Sequence, residues 1–248
     1  MILKKTFKSL VVSTVLLCSV VPFPMASAEA QDIPNEYESS VYQVTPKDNV
    51  WSSFSSKEEM VEATHLSDER LKEMSTDELI DAVMDYPLLV NLYLHNSYED
   101  GLQELAKDSD AYKELLTRPD ASESLVKRLS EQNNQDGVIS SQSTENMDSL
   151  ESRTLSLLIA EDTVWNKIDD KGSVQEMIAP YASVSTVKTP NGSSVSVIIN
   201  GEQFSSLEKA QLDFSTANSY PNATKVSSST TNYNCHSYAW YSIATNNK

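Results

Sequence analysis

The sequence predicts an α+β protein, mainly a helical bundle followed by a β-hairpin, and three observations predict it. Between about Ser56 and Glu131 apolar residues recur every three or four positions, the spacing of one helix face. Val195, Val197 and Ile199 then alternate with Ser194, Ser196 and Ile198, the period of a strand. Ahead of that run, Asn191-Gly192 offers the positive-φ positions that a two-residue hairpin turn requires. With 39% hydrophobic residues in 248, the chain can bury one or two modest cores.

Residues 1–28 have the form of a secretory signal peptide. Lys4, Lys5 and Lys8 make a basic start, Leu10 to Val21 a short apolar run, and Ala26-Ser27-Ala28 a small-residue cleavage site. The apolar run is well short of the roughly 20 residues that cross a bilayer. Leu17 occupies the position where lipoprotein signals carry a small residue, so no stable membrane anchor through Cys18 is expected. Cleavage after Ala28 would leave a secreted, extracellular chain. Residues 29–50, with Pro34 and Pro46 and no sustained period, are expected to be an extended or disordered lead-in.

Residues 51–131 are expected to form an acidic helical domain. Ser75 with Glu78 three residues on is a capping box, and Leu79, Ile80, Val83 and Met84 follow on one face. Pro87 opens a stretch in which Leu88, Leu89, Val90, Leu92, Tyr93 and Leu94 are apolar nearly all round, as in a helix at the centre of a bundle. Ser97 caps a helix carrying Tyr98, Leu102, Leu105 and Ala106. Tyr112, Leu115 and Leu116 mark a short one ended by Arg118-Pro119, and Asp120 caps one that buries Ala121, Leu125, Val126 and Leu129. Residues 132–148, rich in Gln, Asn and Ser, have the composition of a linker. Within 149–180, Leu155, Leu158, Trp165 and Ile168 share one side of a longer helix that packs back on the bundle. Residues 181–248 are expected to hold the hairpin, from about Ser183 to Asn200, a short helix over Ser206 to Phe214, and a polar segment from Ala217 to Tyr233.

Charge and motifs exclude several classes. The chain carries 19 Lys plus Arg against 36 Asp plus Glu, a net of −17, whereas nucleic-acid binding is driven by basic surface, so no nucleic-acid partner is expected. Five glycines, with no GxGxxG or GxxxxGK, leave no phosphate cradle, and no cofactor is expected. In the helical domain the acids sit between apolar positions rather than in runs, as on a solvated bundle surface, and no calcium-type loop appears. His65 and His95 are lone histidines without HExxH or a Cys/His pair, so no metal site is expected.

One cysteine, Cys235, would survive cleavage of the signal. Tyr233, Tyr238, Trp240 and Tyr241 surround it, and no acid lies between Thr216 and Lys248. The stretch YNCHSYAWYS can begin a helix at about Cys235 with Asn234 as its cap. Unpaired N–H groups and the helix dipole would then stabilise a thiolate, the nucleophilic form.

NCHSYAW resembles the nucleophile motif of papain-like cysteine hydrolases of the broad NlpC-type and CHAP group. The span from about Leu71 to Leu129, with the TPNG hairpin and SYPNAT before YNCHSYAWYS, is similar to a group of secreted proteins of Gram-positive bacteria. The first resemblance implies that Cys235 is a catalytic nucleophile attacking an amide carbonyl in a peptide or cell-wall peptide. It also implies a general-base histidine on a strand well downstream. Only 13 residues follow Cys235, and the one histidine among them is the adjacent His236, whose side chain would point about 100° away on a helix. The C-terminal portion is therefore expected to be an incomplete papain-like fold with little or no turnover as written. The competing expectation is a secreted, non-catalytic helical binding protein in which Cys235 is merely packed.

Overall fold

In this computed structural model the structure describes residues 40–139, 149–225 and 227–230. The expected signal peptide, residues 29–39 of the lead-in, and Cys235 with its aromatic neighbours lie outside the described residues.

Serine caps set the first helix starts. Ser56, Ser67, Ser75, Ser97 and Ser109 each accept a hydrogen bond from the backbone N–H three residues on. They open α1 (Lys57–Ala63), α2 (Asp68–Glu73), α3 (Thr76–Met84), α4 (Tyr98–Asp108) and α5 (Asp110–Thr117). The capping box expected at Ser75 and Glu78 is complete. Then come α6 (Ala121–Ile139), α7 (Ser149–Ala160), the single turn α8 (Asp162–Trp165) and α9 (Lys171–Ile178). The strands β1 (Ala182–Lys188) and β2 (Ser194–Asn200) pair antiparallel, and α10 (Ser206–Ser219) follows behind a second complete capping box, Ser205 with Glu208.

The chain is thus mainly helical with one two-stranded antiparallel sheet among the described residues, an α+β arrangement. Leu79, Val83, Leu105, Leu115, Leu125, Leu129, Leu155 and Leu158 are fully buried in one core. The hairpin belongs to that core: Ala182 is buried in it, and Val184 and Ile198 pack against it. Among the described residues no helix is long and apolar enough to cross a membrane.

Several elements differ from the expectations. The central apolar stretch is not an α-helix but a 3-10 turn, Leu89–Tyr93, held by i to i+3 bonds such as Asn91 N–H to Leu88 O and Leu94 N–H to Asn91 O. Few residues separate Pro87 from the α4 cap at Ser97, and α4 crosses the turn so closely that a Cβ on Gly101 would lie 2.2 Å from the Leu92 carbonyl oxygen. The longer helix expected up to Ile168 breaks at Glu161, whose carboxylate accepts from Thr163 N and Val164 N and starts α8. α6 runs on to Ile139, and α10 continues five residues past Phe214.

The hairpin loop has three residues rather than two. Gly192 N–H bonds Thr189 O, Thr189 N–H bonds Ser193 O, and Gly192 alone supplies the positive φ, 83°, of a glycine. Pro190 fits the first corner of a type I turn, and Gly192 adds the left-handed residue that bulges the strand.

Residues 40–50, within the segment expected as a lead-in, are packed on the helices. Tyr42 is buried and its hydroxyl donates to Ala82 O at 2.9 Å. Just after it, Trp51 is 1% exposed and its ring N–H donates to Ser219 O at 2.9 Å. Ser219 in turn donates to Pro87 O, and the Tyr220 hydroxyl bonds Asn91 Oδ1. The start and end of the described body are thereby fastened around the same 3-10 turn.

Candidate functional site

Three places hold side chains with chemical potential. The expected nucleophile, Cys235, lies outside the described residues. The chain that leads to it is anchored: Lys225 Nζ and Ser228 Oγ each reach Asp213 Oδ2 at 2.6 Å, and the Ser229 N–H and hydroxyl donate to Asp213 Oδ1. Partial burial pushes the Asp213 carboxyl up, but these four donors outweigh it and bring it down to about 2.

The two lone histidines stay apart from this anchor. His65 Nδ1 is 2.6 Å from Asp110 Oδ2, an oxygen that also accepts from Leu66 N, and the His65 side chain is 60% exposed. His95 is exposed on the turn before α4. Among the described residues no three His, Cys, Asp or Glu side chains converge to hold a metal.

The first place is a buried ion pair, Arg153–Glu208, with side chains 1% and 3% exposed. Arg153 Nε donates to Glu208 Oε1 at 2.6 Å, and Nη2 donates to the Glu202 carbonyl at 3.1 Å. The guanidinium stacks 4.9 Å from the Phe204 ring centre and 5.2 Å from that of Tyr181. Burial pushes Glu208 up, yet Arg153 and the Ser205 cap more than offset it and hold the carboxyl below its ordinary range. Beside the pair, Thr154 gives its proton to Leu150 O, so the Tyr93 hydroxyl at 2.7 Å must be the donor to Thr154. Sealed in this way, the cluster joins α7, α10 and the 202–204 loop, and its role is structural.

The second place is an open groove of about 520 Å³ between α3, α6, α7 and α10. Met84, Leu89, Leu150 and Phe214 give it apolar walls, and Phe214 is 69% exposed, the most of any large apolar side chain described. Asp81, Asp85 and Glu151 set three carboxylates on its rim against one guanidinium, Arg128, which lies 2.9 Å from Asp81 and 3.8 Å from Glu151. Phe214 is the direct neighbour of Asp213, which holds the chain leading to Cys235.

The third is a smaller cavity of about 140 Å³ between α4, α5, the α7–α8 junction and β2.

Sequence reasoning found none of these three. Arg153 offered one signal, being the lone cation of α7, two residues ahead of Leu155, Leu157, Leu158 and Ile159. Its partner Glu208 is 55 positions on, beyond the reach of periodicity. The groove draws on four separate elements, so no local pattern marks it.

No protein-family model matches this chain, and no curated protein or solved structure matches it.

Proposed function

We propose that this chain acts outside the cell as a peptide-binding protein whose groove between α3, α6, α7 and α10 holds a segment with basic and apolar side chains. The observation that carries this reading is Phe214, a large ring left in water beside a groove of about 520 Å³ with three carboxylates on its rim. Exposed apolar area bordered by charge of one sign suits an amphipathic partner of the opposite sign. Arg128 occupies Asp81 and Glu151 in the free protein, and a lysine or arginine of the partner would take its place.

Titration calorimetry with a short peptide alternating Lys and Leu tests this. Saturable binding is expected that weakens with salt, and Phe214→Ser should weaken it about tenfold. Equal binding of the same peptide with Glu in place of Lys would remove the basis for the reading.

A second reading keeps the resemblance of NCHSYAW to papain-like hydrolases, with Cys235 as nucleophile toward an amide of a bound peptide or cell-wall peptide. What supports it is the Asp213 anchor. Ser229, bonded to the neighbour of Phe214, is six residues before Cys235, and six residues span at most about 20 Å, a chain length that permits a thiol to attack a peptide bound there. Thiol labelling at neutral pH separates the two readings. A nucleophile should react faster than free cysteine with a pKa below the ordinary ~8.5. An ordinary thiol, together with Cys235→Ser that still binds the peptide, leaves the binding protein alone.

A further inference from the structure

We propose a self-association surface, the outer face of the β1–β2 hairpin, whose partner is a second copy of this chain. It shares no residue with the groove of α3, α6, α7 and α10, so it stands or falls separately from the function proposed above.

Alternation along the strands builds the face. Val184 and Ile198 pack on the helical core, so Ser183, Ser185 and Val187 of β1 and Val195, Val197 and Ile199 of β2 point the other way. Val187, Val195 and Ile199 are 43–51% exposed and make up half of the exposed large apolar side chains among the described residues. Apolar side chains gathered on one face, rather than scattered singly, mark a contact surface. The hairpin edges do not make that contact. On β2, Glu99 of α4 accepts the Ile198 N–H and Ser196 lines the cavity against α4. On β1, Gln175 of α9 accepts the Val184 N–H, and Lys188 sets a charge on what is left of the edge. The outer face is what remains open.

Charge and shape select the partner. The chain carries a net charge of −17, so two copies repel wherever their acids meet, and the outer face of the hairpin is free of charge. A strongly charged partner finds no counter-charge there. The register then decides the geometry. Ser183 lies opposite Ile199, Ser185 opposite Val197 and Val187 opposite Val195, so β2 raises a ridge of branched side chains beside a furrow at the serines of β1. When two such faces are laid together about a twofold axis along the strands, Ile199 of each copy falls over the partner's Ser183, Val197 over the partner's Ser185 and Val195 over the partner's Val187. An axis across the strands would instead set ridge on ridge. Strands of seven residues at about 3.3 Å each, paired about 4.8 Å apart, make a face of about 220 Å². That is well under the roughly 800 Å² per partner of tight complexes, so the pair is a weak one, with a dissociation constant of about 100 μM.

Sedimentation equilibrium of the full chain, from about 10 μM to about 1 mM, tests the surface with salt as a second variable. A monomer–dimer equilibrium is expected that tightens about threefold between about 50 and about 500 mM NaCl, because salt screens the repulsion between like-charged bodies. Ile199→Glu, at an exposed position, should weaken the dimer more than about tenfold. Ser183→Ile adds apolar area to the face but fills the furrow, so it too should weaken the dimer, about tenfold. Both variants should keep the helical circular dichroism and urea midpoint of the parent chain, which separates lost association from lost fold. A monomer alone across the whole range, assembly beyond two copies, an Ile199→Glu variant that still pairs, or a Ser183→Ile variant that pairs more tightly would each overturn the proposal, leaving a hairpin face that water covers.

Discussion

Arg153 and Glu208 carry the largest single-residue stakes in the molecule. Both are buried, and each supplies the charge that makes the other tolerable there. We expect Arg153→Met to cost about 3–5 kcal/mol in urea unfolding, since it strands a buried carboxylate, whereas Arg153→Met with Glu208→Met should recover most of that loss. The pH dependence has a definite sign. The folded Glu208 carboxyl titrates below its ordinary 4.5, so its contribution is complete above that pH and is lost as the pH falls beneath it. The double variant should lose this part of the acid sensitivity. Asp213 behaves alike over a lower window, contributing fully above about 4 and fading toward about 2. Because the Ser229 amide bonds Asp213, we expect Asp213→Asn to raise hydrogen exchange at Ser229 about tenfold at neutral pH, read by mass spectrometry or NMR. None of this was legible beforehand. The helix pattern shows Arg153 as the lone cation of α7, but which acid meets it depends on how α10 returns to α7.

Elements were legible where their signals are local. The Ser75–Glu78 box lies within four residues and formed as expected, and the stop at Arg118-Pro119 holds because the α5 cap Arg118 is extended, as a residue before proline tends to be. Signals failed where a neighbouring element decides. Leu88 to Leu94 has the composition of a buried helix, yet α4 crosses it with Gly101 against the Leu92 carbonyl and leaves space only for a tight 3-10 turn. This gives a test whose sign distinguishes local from tertiary control. Helix propensity alone would make Gly101→Ala stabilising by about 1 kcal/mol. A methyl 2.2 Å from a backbone oxygen must instead push α4 away from the turn, and we expect a loss of about 2 kcal/mol or more, measured as a lower urea midpoint at unchanged slope.

At the scale of the whole molecule, the hairpin ends up as part of the helical body. Its strands were legible from their alternation, but their orientation was not, because Val197, Ile198 and Ile199 put apolar side chains on both faces. The fold resolves this by turning Val184 and Ile198 onto the helical core and leaving Val187, Val195 and Ile199 in water. Glu99 of α4 then accepts the Ile198 N–H, tying β2 to the bundle from its outer edge. A two-stranded hairpin is marginal alone, so its stability has to come from this seat. If hairpin and helices share one core, they unfold in one transition. We expect Ile198→Ala to cost about 2–3 kcal/mol and to lower the melting temperature seen by helical circular dichroism and by hydrogen exchange of the β1 amides equally. A helical signal that melts unchanged while the strand amides lose protection would mean that the hairpin is an appendage, and that the cavity it closes against α4 and α5 is open in solution.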